Sequence, residues 1–138
     1  MLLRKDAKVE LMKKVPLFSR CSNVDLGEIA SIADEIDLPD GRVLTREGER
    51  GREFFVLLKG EVDVSRDGEH VATLSDGDFF GEIALISDEP RTATLTAKGP
   101  IRALVITDRA FRSLREHAPG IDQKVQEAAA ERTGTDEL

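Results

Sequence analysis

The sequence predicts a mainly β domain with helical flanks, a double-stranded β-helix or jelly roll carrying N-terminal and C-terminal helices. Three observations predict it. Between Gly41 and Thr107 the chain divides into short β-rich runs punctuated by glycine. Helical periodicity occupies both ends of the chain. No helical stretch interrupts the β region, which excludes alternating βα units.

Taken in order, Val9, Met12 and Val15 share one helical face from Asp6 to Val15, and Pro16 then stops the pattern. Ser22 or Asn23 caps a second helix with Leu26, Ile29, Ala30 and Ala33 as its buried stripe. The first forty residues are therefore expected to be helical. Strands are expected at Arg42 to Arg46, Glu53 to Leu58, Glu61 to Arg66, Glu69 to Leu74, Thr92 to Ala97 and Ile101 to Thr107. Lys59-Gly60, Asp67-Gly68 and Asp76-Gly77 separate them, each supplying a residue that tolerates positive φ. Asp108 is the expected cap of a third helix whose Phe111 and Leu114 face inward. Pro119 restarts a last helix over Gly120 to Arg132, with Ile121, Val125, Ala128 and Ala129 on one side.

At 138 residues and 40% hydrophobic content the chain is expected to form a single domain: helices over 1–40, a β-roll over 41–107, helices over 108–132 and a loose tail over 133–138. Aromatic content is 4%, all of it six Phe, so the core rests on aliphatic residues. A net charge of −7 disfavours nucleic-acid binding, which needs a surplus of cations to displace counterions. The lone Cys21 forms no internal disulfide, and no apolar run suits a signal peptide or a membrane span, so the expected setting is cytoplasmic, without membrane contact.

The chemistry concentrates in residues 80–94. Gly81 permits close backbone approach, and Glu82-Ile83-Ala84-Leu85 forms a helical turn whose free N–H groups suit an anion. Pro90 ends the turn, and the Arg91 guanidinium that follows folds back over the same spot, a planar fork matched to two phosphate oxygens. Glu82 would repel a phosphate unless the ligand also offers a hydroxyl donor such as a ribose 2′-OH. Phosphate and sugar hydroxyl side by side describe a nucleotide.

Phe80-Gly81-Glu82-Ile83-Ala84-Leu85, a short spacer and Pro90-Arg91-Thr92-Ala93-Thr94 resemble the phosphate-binding cassette of cyclic-nucleotide-binding domains, with further likeness at Asp40-Gly41, Gly48, Leu58 to Val62 and Gly77 to Phe80. The resemblance implies cAMP or cGMP as ligand and no other cofactor. It implies that Arg91 pairs with an equatorial phosphate oxygen, that the Ala84 and Thr92 amides complete the cradle, and that Glu82 with the Gly81 backbone holds the ribose 2′-OH. Ile83, Ala93 and Phe80 belong to the same cassette, and Val71 and Leu74 are weaker candidates for contact with the base. The last helix is implied as a lid, capped by Val125 or Arg132. A hydroxyl residue at Thr92 is compatible with cGMP and occurs with cAMP as well, and cAMP ranks slightly ahead.

Rival functions fare less well. A metal-dependent enzyme on a jelly roll needs several histidines with a carboxylate, and His70 and His117 do not supply the set; no Ser-His-acid set is present, so neither catalytic nor metal residues are assigned. A catabolite-activator type of regulator needs a helix-turn-helix for which the residues after Thr107 leave no room, unless the chain is a fragment of a larger cAMP-responsive regulator. A domain on this fold that has lost its ligand and serves as a protein-interaction module is the other alternative. In the ligand-binding reading, the signal passes by conformational change to an unidentified protein partner, with oligomeric state left open.

Overall fold

The computed structural model describes residues 3–131. In chain order these form α1 (Lys5–Met12), α2 (Asn23–Ser31), β1 (Asp34–Leu38), β2 (Val43–Thr45), β3 (Glu53–Arg66), β4 (Glu69–Leu74), β5 (Phe79–Phe80), β6 (Thr94–Thr107), α3 (Asp108–His117) and α4 (Pro119–Ala130), with single 3₁₀ turns at Pro16–Phe18 and Glu82–Leu85. The architecture is the predicted one, a rolled antiparallel sheet with helices at both chain ends.

β3 and β6 are long strands that pair antiparallel from Glu53 opposite Thr107 to Ser65 opposite Thr94. Four of the expected short strands are thus two bent ones. The reason lies at Gly60, which marks a register shift rather than a turn: it adopts φ +108°, and a Cβ there would stand 2.8 Å from Ile101 Cγ2 and 2.9 Å from the Pro100 carbonyl oxygen. Asp67-Gly68 does turn the chain, both residues at positive φ, joining β3 to β4. Strand order across the sheet is β1-β6-β3-β4, with β2 on β6 and β5 on β3.

Residues 34–38, expected to be helical, are instead β1, paired with Ile101–Val105 of β6. Ile36 and Leu38 alternate with polar neighbours over too few residues to announce a strand. The backbone groups of β6 decide the matter by offering hydrogen bonds that a helix would leave unmade.

Side-chain alternation along β3 and β6 divides the core in two. Phe54, Val56, Leu104 and Ile106 face the helices; Phe55, Leu57, Ala97 and Ala103 fill the inside of the roll. On the helical side Phe18 meets Phe54 edge-on at 6.1 Å and Phe111 at 5.8 Å. Ser22 caps α2 in a reciprocal box with Asp25. Thr107, not the expected Asp108, caps α3: its hydroxyl accepts from the Ala110 amide at 3.1 Å, leaving Asp108 in the first turn to face the helix dipole. Helix α4 buries Ile121, Val125 and Ala128 and packs on the Pro16–Phe18 turn. Ion pairs from Lys124 to Asp25 at 2.5 Å, and from Arg20 to Glu127 at 3.6 Å and to Glu131, tie α4 to the N-terminal segment.

Candidate functional site

Two backbone segments without side chains enclose the Arg91 guanidinium. Gly81 begins the Glu82–Leu85 turn at φ +83°, and a Cβ on it would stand 2.3 Å from Arg91 Nη1 and 2.8 Å from the Glu53 carbonyl oxygen. On the other side, a Cβ on Gly51 would stand 2.5 Å from Arg91 Nε and 2.7 Å from its Cζ. Any residue but glycine at either place would push the guanidinium aside. Arg91 Nη2 donates to the Glu53 carbonyl. The backbone is pinned as well: the Arg91 amide donates to Glu49 O at 2.7 Å, and the Gly48 amide donates to Arg91 O at 2.8 Å. The connection from β2 to β3 therefore holds this residue at both main chain and side chain.

Burial lowers the Arg91 pKa from its usual value, and the Glu53 carboxylate opposes that effect. No carboxylate forms an ion pair with Arg91 among the described residues. A partly desolvated cation bonded to a neutral carbonyl, with the Glu53 carboxylate near but not paired to it, keeps donor capacity for an arriving anion. An open cavity of about 170 Å³, lined by Thr45, Arg46, Glu49, Gly51 and Glu53 among others, lies against it.

Glu82, next to Gly81 in sequence, points toward the N-terminal segment. It is 1% exposed, and its Oε2 accepts from the Leu17 amide at 3.2 Å. The cause is local to the Pro16–Phe18 turn, which satisfies the Phe18 and Ser19 amides through Val15 O and Pro16 O and leaves the buried Leu17 N–H to be met from outside. The sequence reading placed this carboxylate toward a ligand hydroxyl; here it bonds the N-terminal segment.

The other cassette residues separate into distinct settings. The Ala84 amide, expected to be free for a phosphate, donates to Gly81 O at 3.1 Å inside the turn, because a 3₁₀ turn closes on the third residue. Ile83 is partly buried. Thr92 is exposed, and its carbonyl accepts from Arg66 Nε at 3.2 Å. Ala93 is buried in the roll, its carbonyl accepting from the Thr45 hydroxyl at 3.0 Å. Phe80 is committed to the core: its ring stacks on Phe55 with centroids 4.9 Å apart, so it offers a ligand no ring face. Val71 is 49% exposed on β4 beside a register shift, and Leu74 packs partly buried against the roll. Val125, expected as a lid cap, is wholly buried among the helices because α4 is docked on the Pro16–Phe18 turn. Arg132 lies outside the described residues.

Sequence reasoning missed Gly51, the Glu53 carbonyl and the Leu17 amide. The signal for the first was two glycines, Gly48 and Gly51, spaced through a run without apolar residues; a backbone carbonyl and a backbone amide leave no signal at all. Among the described residues no group of three or more His, Cys, Asp or Glu side chains is arranged to hold a metal, and no helix is long and apolar enough to cross a membrane.

A family model for the cyclic nucleotide-binding domain matches residues 35–118, a span that runs from β1 through the cassette to the end of α3. The chain belongs to the cyclic nucleotide-binding domain family. It is 35% identical over 125 residues to a cyclic nucleotide-gated potassium channel of Rhizobium etli, covering 91% of this chain and 35% of the channel. Over 124 residues it is 37% identical to a cAMP-dependent protein kinase regulatory subunit of Mycosarcoma maydis, covering 81% of this chain and 23% of that subunit. This cyclic nucleotide-binding domain thus spans about a quarter to a third of the length of these relatives. Its fold matches the N-terminal domain of a transcriptional regulator from Streptomyces coelicolor with a TM-score of 0.78 at 24% identity, covering 88% of this chain and 91% of that one.

Proposed function

We propose that this domain binds a cyclic nucleotide, cAMP in preference to cGMP, and passes the binding event to a protein partner through its helices. The observation that carries the reading is Arg91: a partly buried guanidinium set between Gly51 and Gly81, bonded to a carbonyl and in no direct ion pair with a carboxylate among the described residues. A cyclic phosphodiester brings a directly bonded negative charge with two free oxygens for a planar fork. The kinase relative named for cAMP supports the order of preference.

Transmission follows from Glu82. In this reading the ribose 2′-OH competes with the Leu17 amide for the Glu82 carboxylate, so that occupation of the cassette loosens or shifts the Pro16–Phe18 turn on which α4 rests. Ligand also opens the Gly81–Ala84 bond, releasing the Ala84 amide to the phosphate. A ligand shifts such an equilibrium only by its differential affinity for the two arrangements, and the Glu82 exchange is where that difference arises. The role is one of binding, not catalysis.

Calorimetric titration with cAMP and with cGMP tests the reading directly. The expected result is saturable binding of both with cAMP tighter. Absence of heat for either at millimolar nucleotide overturns it.

A further inference from the structure

Sharing Arg50, Arg52 and Glu53 with the Arg91 cavity, a cleft of about 640 Å³ is lined by Arg50, Arg52, Arg109 and Arg112, with Glu53 and Asp108 as its acidic members. Arg50 is held by Asp88 at 2.5 Å. Arg52, Arg109 and Arg112 are exposed and make no ion pair or side-chain hydrogen bond among the described residues. That is unusual for a chain whose net charge is −7, in which acidic side chains outnumber basic ones.

The arrangement is built by two elements. Helix α3 turns Phe111 and Leu114 toward the core, which places Arg109 and Arg112, three residues apart, together on the opposite face. Like charges at that spacing weaken a helix, and Asp108, four residues before Arg112, offsets them in part on α3. Arg52 arrives from the connection between β2 and β3, at the mouth of the same cleft. Three guanidiniums from two elements, spread around an open volume of this size, match several carboxylates on a chain better than they match one small ion, which needs its donors converging on a point.

We propose that this cleft docks an acidic, Asp/Glu-rich segment of a partner protein. Its position also connects it to the first site: Arg50, Arg52 and Glu53 line the Arg91 cavity as well, and the Glu53 carbonyl holds the Arg91 side chain. The docking surface itself rests on charge and shape alone, independent of whether the domain binds a nucleotide.

The test is fluorescence anisotropy of the whole chain with a short fluorescein-labelled peptide of alternating Glu and Ser, at low and at physiological salt. Saturable binding that weakens at least ten-fold in the Arg109→Gln/Arg112→Gln double variant, and that is unchanged in Arg42→Gln on the roll surface, is the expected result. Arg52→Gln alone provides a second reading should the double variant unfold at a lower temperature, and it is expected to weaken the peptide several-fold. Equal affinity for the parent, double and Arg52→Gln variants, or no saturable binding to the parent, overturns the proposal. So does displacement of the peptide by an equal concentration of inorganic phosphate, which would assign the cleft to a small anion, or tighter binding of a single-stranded oligonucleotide of equal charge.

Discussion

The amide of Leu17 donates to the Glu82 carboxylate at 3.2 Å across 65 positions of sequence, in the buried seam between the roll and its helices. One side chain of the cassette therefore supports the N-terminal segment, and two substitutions separate its duties. Glu82→Gln keeps an oxygen for the Leu17 amide and is expected to cost less than about 1 kcal/mol of stability while weakening cyclic nucleotide roughly ten-fold, since a neutral amide accepts the ribose hydroxyl less strongly. Glu82→Ala strands the buried N–H, and urea unfolding should show a loss of about 1–3 kcal/mol. Equal stability of the Gln and Ala variants would contradict a role for this bond in the fold.

In the proposed reading, replacing Arg91 by Ala removes the charge that meets the phosphate. By analogy with truncated charge pairs the loss is roughly 2–5 kcal/mol of binding free energy, or about thirty-fold to a few thousand-fold in Kd by calorimetry. Arg91→Lys should fall nearly as far, because a point charge does not reproduce the fork. Near-normal affinity of the Lys variant would show that geometry at this position matters little.

Gly51 offers a way to displace Arg91 without touching it. Its backbone is free of positive φ, so alanine is tolerated by the main chain, yet the new methyl would stand 2.5 Å from Arg91 Nε. Gly51→Ala is expected to weaken nucleotide binding about ten-fold or more while leaving the thermal midpoint close to that of the parent. Gly81→Ala should be worse on both counts, because φ +83° adds backbone strain to the clash.

Much of this fold could be read from residues alone, and how legible the candidate site was differs by residue. Arg91 and Gly81 stand out in the sequence because the cassette resemblance names an arginine and a glycine at that spacing. Glu82 was visible as a residue but not in its bonding, since the group it meets is a main-chain amide that every non-proline residue carries.

Helix α4 should respond to pH through Asp25. Burial by itself raises the Asp25 pKa, but hydrogen bonds from Lys124 and from the Ser22 amide and hydroxyl more than offset it and hold the carboxyl below its ordinary 3.8. A carboxyl lowered on folding adds stability that is present above its unfolded value and lost as pH falls through the folded one. The stability difference between the parent and Asp25→Asn, measured by urea unfolding, should therefore be present at neutral pH and shrink steadily as pH drops below 3.8. A difference independent of pH would contradict this account, since both the Lys124 and the Ser22 bonds depend on the ionised carboxyl.

Cys21 should be a slow thiol. Burial first, then the nearby Asp25, pushes its pKa up to about 11, with Lys124 opposing. At neutral pH the thiolate fraction is lower than that of an ordinary cysteine by about two orders of magnitude. Alkylation with iodoacetamide should be correspondingly slow in the folded chain and become fast on unfolding in urea.

The sequence by itself determined the rolled β architecture, the Asp67-Gly68 and Asp76-Gly77 turns and the residues of the cassette, because periodicity, turn chemistry and motif spacing are written in consecutive residues. Tertiary structure alone decided that residues 34–38 form a strand, that two pairs of short strands are two long ones, and that Glu82 bonds Leu17. Each of those rests on backbone hydrogen-bonding groups brought together from distant parts of the chain, and such groups are the same in every residue until folding gives them partners.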